Sequence, residues 1–162
     1  MIIGIAGTLG AGKGTVVEHL KTKGFSHYST SSMFKAILES QGQVANREAY
    51  TWLGDSFRNL GSAGPIAIQY DIAKRDANHV IIESIHAVSE AEFLRKRGAL
   101  LLGVDAPIST RYNRITKRGS EKDNVTLEEF TAIATHEEEG GGTHNIRAVI
   151  DRADHVIRND VT

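Results

Sequence analysis

The chain has 162 residues, of which 40% are hydrophobic and 24% charged, and its 19 basic and 20 acidic side chains leave a formal net charge of -1. Such a length suits one domain that buries a core without a metal or disulfide staple, and the lack of cysteine excludes a disulfide scaffold, a thiolate metal site and a cysteine nucleophile. Balanced charge and an aromatic share of 6% argue against a nucleic-acid platform and an anionic-membrane surface, so any polyanion site must be local.

In chain order, the opening run MIIGIAG is too short for a signal or spanning segment and lacks a basic start, so the expectation is a cytoplasmic protein with no membrane partner. Short apolar runs then recur at Ile2–Ala6, Phe25–Ser29, His79–Glu83, Ala99–Asp105 and His155–Arg158. Runs of this kind suit strands buried on both faces of a parallel sheet. Between them, helical spacing covers Lys13–Lys23, Ser31–Ser40, Arg47–Asn59, Pro65–Ala77, Ser89–Arg97, Pro107–Lys117 and Leu127–Glu139. Alternation of the two predicts a three-layer α/β fold, a five-stranded parallel sheet with helices on both faces, spanning residues 1–162 as a single domain. Ligands of such sheets bind beyond the carboxyl ends of the strands. The stretch of about 30–77 breaks the alternation by placing three helices between two strands, which predicts a helical flap.

Gly7 to Thr15 reads GTLGAGKGT. Two glycines five apart precede a lysine, after a strand and before a helix, which is the context of a phosphate-cradling loop. Backbone N–H groups of a glycine-rich turn can close around phosphate oxygens because no Cβ intervenes, and the helix N-terminus and Lys13 add positive charge. The hydroxyl expected directly after the lysine comes one place late, at Thr15, with Gly14 between. In this form the loop resembles that of adenylate kinase and related nucleoside monophosphate kinases. The resemblance implies that Gly7, Leu9, Gly10, Ala11, Gly12, Lys13, Gly14 and Thr15 hold the phosphates of ATP. It also implies Mg²⁺ near Thr15, held mostly through water.

Further matches follow in order. Tyr28 to Ile37, YSTSSMFKAI, resembles the family's acceptor segment; by that match Thr30 and Ser32 touch the acceptor nucleotide and Lys35 stands where an arginine binds its phosphate. A lysine offers a point charge where arginine gives a bidentate fork. The hydroxyls of Thr30, Ser31 and Ser32 equally suit a helix cap. In IIESIHAV, Glu83 corresponds to the family's carboxylate near Mg²⁺ or the acceptor, and His86 to an arginine, which makes acceptor affinity pH-dependent. A solvated strand end and a surface histidine are the plain readings of the same two residues.

Arg111, Arg114 and Arg118 share one helical face. In RITKR, the resemblance gives Arg114 the stacking place on the donor adenine and Arg118 a phosphate contact, with a short lid at about 118–126. The final ADHVIRND resembles the last strand of dephospho-CoA and related kinases and places Asn159 near the donor base. His136, His144 and His155 form no metal-ligand spacing, and Glu137 to Glu139 read as a solvated helix end. The resemblance thus implies an ATP-dependent kinase of a nucleoside or deoxynucleoside monophosphate, with Lys13, Arg114 and Arg118 as catalytic groups, Thr15 and Glu83 toward the metal, and a small-molecule nucleotide as partner. Alternatives are a kinase of the dephospho-CoA type, which needs a carboxylate base that Ser31 and Ser32 do not supply, and an ATPase or nucleotide-gated regulator with no small-molecule acceptor.

Overall fold

The computed structural model describes residues 1–61, 63–119, 124–140 and 144–160. Strands β1 (Ile2–Gly7), β2 (Ser26–Ser29), β3 (Val80–Glu83), β4 (Leu100–Asp105) and β5 (His155–Arg158) form one sheet in the order β2-β3-β1-β4-β5. Every pairing is parallel, with Gly4 of β1 opposite Ile82 of β3 and Leu101 of β4. The helices are α1 (Lys13–Thr22), α2 (Thr30–Ser40), α3 (Arg47–Leu60), α4 (Gly64–Asp76), α5 (Val88–Arg95), α6 (Ile108–Arg118), α7 (Leu127–Glu139) and α8 (Ile146–Ile150).

Strand alternation divides the core into two layers. Ile2 and Ala6 of β1 join Val80, Ile82 and Leu101 on one face, against Ile66 and Ala73 of α4, Ala91 and Leu94 of α5 and Val149 of α8. Ile3 and Ile5 join Ile81 and Val104 on the other, against Val17 of α1. Each such fully buried aliphatic side chain contributes about 1.5–3 kcal/mol relative to its exposed state.

Three expectations are corrected. Only the central strands are buried on both faces: β5 is exposed along its length and β2 is only partly covered, because both are sheet edges. Of the three helices between β2 and β3, α4 packs on the sheet, so the third core cluster belongs to α2 and α3, where Phe34, Leu38 and Leu53 pack with Tyr50 and Phe57. Helix α8 was not expected; it is five residues long, is capped by the Asn145 side chain accepting from Ala148 N, and buries Ile146, Val149 and Ile150. The lid expected at about 118–126 lies partly outside the described residues, but α7 beyond it starts with a reciprocal Thr126–Glu129 cap. No helix among the described residues is long and apolar enough to cross a membrane.

Candidate active site

The sheet order puts β1 between β3 and β4, so the loop after β1 lies where the chain's crossovers diverge to opposite sides of the sheet. Thr8 N donates to Val104 O at 3.2 Å, and Ala11 N turns back to Thr8 O at 3.1 Å. Gly12, the residue before α1, has φ +98°, and a Cβ there would run into the Asn159 amide, so both conformation and space require glycine. Gly14 is exposed, and a Cβ there would meet no described atom within 4 Å. Lys13 Nζ donates to Gly7 O at 2.8 Å and Thr8 O at 3.1 Å. Burial pushes its pKa down, with Arg118 and Arg111 adding to the shift and Glu83 and Glu137 opposing it. Thr15 is exposed in the first turn of α1.

Arg114 and Asn159 meet behind the loop. Arg114 Nη1 donates to Ala11 O at 3.2 Å and Nη2 to Asn159 O at 2.9 Å, while Asn159 Nδ2 donates to the same Ala11 carbonyl at 2.9 Å. Arg118 closes α6, whose last residue precedes Gly119 in the left-handed conformation.

A network that sequence reasoning missed ties the loop to α7 and α8. Asp105, ending β4, accepts from Thr8 Oγ1 at 3.0 Å and Arg147 Nη1 at 2.7 Å. Arg147 also reaches Glu138 at 2.6 Å, and Glu138 takes Arg111, which is 5% exposed, at 2.9 Å. Burial pushes the Asp105 carboxyl up, yet the hydrogen bonds from Arg147, Thr8 and Ala106 outweigh it and hold the pKa below its ordinary value of 3.8. A depressed carboxyl stabilises the fold at pH values above its unfolded pKa, and the contribution is lost as pH falls through the folded pKa. Asp105→Asn should therefore cost about 1–3 kcal/mol at pH 7, with the difference in Tm from wild type shrinking below about pH 4; thermal melts across pH 2–7 read this directly.

Across the loop from this network lies a cavity of about 540 Å³, lined among others by Thr30, Ser31, Phe34, Arg47, Tyr50 and Arg58. Thr30 Oγ1 donates to Ser84 O at 3.4 Å and Ser31 Oγ meets Ser84 Oγ at 3.3 Å, so these hydroxyls turn to the end of β3 rather than cap α2; the cap position is Ser29, which makes no side-chain cap. Ser84 itself has φ +71°, a strained conformation for a residue with a side chain, directly after Glu83. Arg58 is 7% exposed and donates Nε to Glu90, which is fully buried, at 2.9 Å. Glu90 Oε2 also accepts from His86 N at 2.8 Å and Ala87 N at 3.1 Å. Burial pushes the Glu90 carboxyl up against these partners.

The structure brings Thr30 and His86 into this cavity and leaves Ser32 and Lys35 out of it. Lys35 points to solvent, 60% exposed and 3.7 Å from Glu39 one turn along, so the cations facing the cavity are Arg47 and Arg58 instead. Glu83 is no solvated strand end: its Oε2 is held 2.8 Å from His27 Nε2 on β2. His86 is no surface histidine either. Burial, with His144, Arg58 and Lys13, holds its pKa well below 6.5, so the ring is neutral at pH 7 and supplies no charge in place of an arginine; its buried Nδ1 has no hydrogen-bond partner among the described residues. Any pH dependence from His86 falls in acid. Glu137 is not solvated but lines the cavity and pairs with Arg47 at 2.7 Å. Arg47, Arg58 and Glu137 carried no local signal, because each is one charged residue in an ordinary amphipathic helix.

Sheet order, loop and flanking helices define a P-loop α/β protein of kinase-like fold. The sequence family described as an AAA domain matches residues 3–137, and a UPF0200 protein of Pyrococcus abyssi is 30% identical over 99% of this chain and 88% of its own length. The chain belongs to the AAA-domain family and to the UPF0200 proteins. Deoxycytidylate deaminase of Schizosaccharomyces pombe is 34% identical over 98% of this chain but only 45% of that longer protein. Among solved structures, shikimate kinase from Acinetobacter baumannii in complex with shikimate shares the fold at a TM-score of 0.60, with 17% identity over 99% of this chain and 84% of that one.

Proposed function

We propose that the protein is an ATP-dependent phosphotransferase whose acceptor is a nucleoside or deoxynucleoside monophosphate. The observation that carries this is the cavity of about 540 Å³, within the usual span of small-molecule sites, whose wall residues Glu137 and His86 are in electrostatic reach of Lys13. Phe34 and Tyr50 give it an apolar wall, and Arg47 and Arg58 bring guanidinium groups to its lining. The likeness of the loop and of RITKR to adenylate kinase supports ATP as donor, and the match to a deaminase named for deoxycytidylate supports a nucleotide acceptor.

In this reading the main-chain N–H groups from Gly12 to Thr15 hold the donor phosphates, and Arg114 and Asn159 border the donor base. Lys13 leaves its loop carbonyls for the transferred phosphoryl group, and Arg118 adds charge from the end of α6. Phosphoryl transfer is chiefly positioning and charge neutralisation, which these groups supply. In this reading the exposed Thr15 hydroxyl and the Glu83 oxygen that His27 does not hold would take Mg²⁺ together with phosphate oxygens and water, oxygen donors of the kind that ion prefers. When bound, the metal neutralises charge on the donor phosphates.

The test is incubation with Mg²⁺ and ATP against ribo- and deoxynucleoside monophosphates, deoxycytidylate first, and dephospho-CoA, with products separated by anion exchange. A phosphorylated monophosphate is the expected result. A product from dephospho-CoA alone would name that acceptor class instead, and ADP with free phosphate but no phosphorylated acceptor would make the protein an ATPase or nucleotide-gated switch.

A further inference from the structure

Glu137 stands two residues from the end of α7, with its carboxylate in the wall of the acceptor cavity. One oxygen, Oε1, accepts from Arg47 Nη1 at 2.7 Å, which spans from the start of α3 to α7; the other, Oε2, has no hydrogen bond among the described residues. The same carboxylate acts electrostatically on Lys13, the group that must meet the transferred phosphoryl. A half-buried pair of this kind adds only about 0–1 kcal/mol to stability. Its position therefore asks for a chemical role.

The charges around the cavity sharpen the question. Arg47 is matched by Glu137, Arg58 by Glu90 and Asp55, and His86 is neutral. A phosphate dianion placed as the attacking group beside Glu137 would bring like charge against a carboxylate whose cation, Arg47, is already engaged, which is unfavourable. A hydroxyl there would instead meet an acceptor oxygen within the cavity.

We propose that Glu137 is the general base of the reaction and that the attacking atom of the acceptor is a hydroxyl oxygen, not a phosphate oxygen. The inference rests on the phosphotransferase reading above and narrows its acceptor atom. The acceptor hydroxyl gives its proton to Glu137 Oε2 as its oxygen bonds to the γ-phosphorus. The bond from that phosphorus to the bridging oxygen breaks, and ADP leaves with the electron pair; the proton then passes from Glu137 to water. With a nucleoside monophosphate the product is a bisphosphate carrying two phosphate monoesters. Arg47 holds the base, and burial pushes the Glu137 carboxyl up, as does Glu138, while Arg47 and Lys13 oppose them. A raised carboxyl is a stronger base than an ordinary one, the direction that general-base catalysis needs.

The experiment uses the full chain with Mg²⁺, ATP and the monophosphate panel plus dephospho-CoA, for wild type and Glu137→Gln, with products assigned by ³¹P spectroscopy. The expected product from a nucleoside monophosphate shows separate monoester signals without phosphorus–phosphorus coupling, that from dephospho-CoA one new monoester signal beside its own diphosphate, and Glu137→Gln lowers kcat by about 10²–10³-fold with acceptor KM little changed. The wild-type kcat profile should also show an acid limb that is missing in the variant; Arg47 from α3, Lys13 from α1, Glu138 beside it and the cavity histidines His86, His136 and His144 are present in both. A coupled diphosphate made from a nucleoside monophosphate overturns the hydroxyl inference while leaving the nucleotide kinase reading intact. A bisphosphate made by Glu137→Gln at the wild-type rate overturns Glu137 as base. No transferred product from any acceptor overturns both.

Discussion

Lys13→Ala is expected to lower phosphoryl transfer by about 10³-fold, comparable to deleting one preorganised charge from a transition-state site, while leaving the fold intact. In the structure the ammonium serves two loop carbonyls, Gly7 O and Thr8 O, and burial already pushes its pKa down. A lysine whose folded pKa is depressed weakens the fold at pH values where it must stay charged. Its removal should therefore cost less than about 1 kcal/mol, within the worth of an ordinary hydrogen bond. Product formation by anion exchange, set beside a thermal melt, checks both halves. A large loss of Tm with the loss of activity would mean that Lys13 holds the loop together rather than serving the phosphates.

That lysine was legible because its chemistry is local. The loop from Gly7 to Thr15, the strand before it and the helix after it are contiguous, so spacing and periodicity carry the whole motif. Arg114 and Asn159 were reached through resemblance, and they do meet, over the Ala11 carbonyl. The strands followed from their apolar runs, each within one residue of its observed bounds.

What failed depends on distance along the chain. Lys35 is near the acceptor segment in sequence, yet the helical period turns it to solvent, where it faces Glu39. Arg47, Arg58 and Glu137 come from α3 and α7, and nothing within either helix says that they face one cavity. Asp105 likewise looks like a plain strand end until Thr8 and Arg147, 97 and 42 positions away, close on it. His86 illustrates a further limit: its identity suggested a titrating partner for phosphate, but burial, which periodicity did not reveal in a short loop after β3, makes it neutral.

Glu90→Gln should be the most damaging single change to stability. The carboxylate is fully buried and satisfies Arg58 Nε and the backbone N–H groups of His86 and Ala87, so it joins α3 to the turn after β3 that carries the cavity's inner wall. Neutralising it leaves the Arg58 guanidinium buried with only the half-exposed Asp55 opposite. Breaking one side of a buried pair costs about 3–5 kcal/mol, equivalent to a fall in Tm of about 6–20 °C for a chain of this size. Adding Arg58→Met to Glu90→Gln removes the stranded charge while the amide oxygen still accepts from the backbone, so the double variant should regain most of the loss. The two changes are then strongly non-additive. Acceptor binding should not return, because Arg58 no longer faces the cavity. Melting curves for the two single variants and the double, with calorimetric titration of the acceptor found in the product assay, separate the roles: recovered stability with wild-type acceptor affinity would show that Arg58 supports the fold alone.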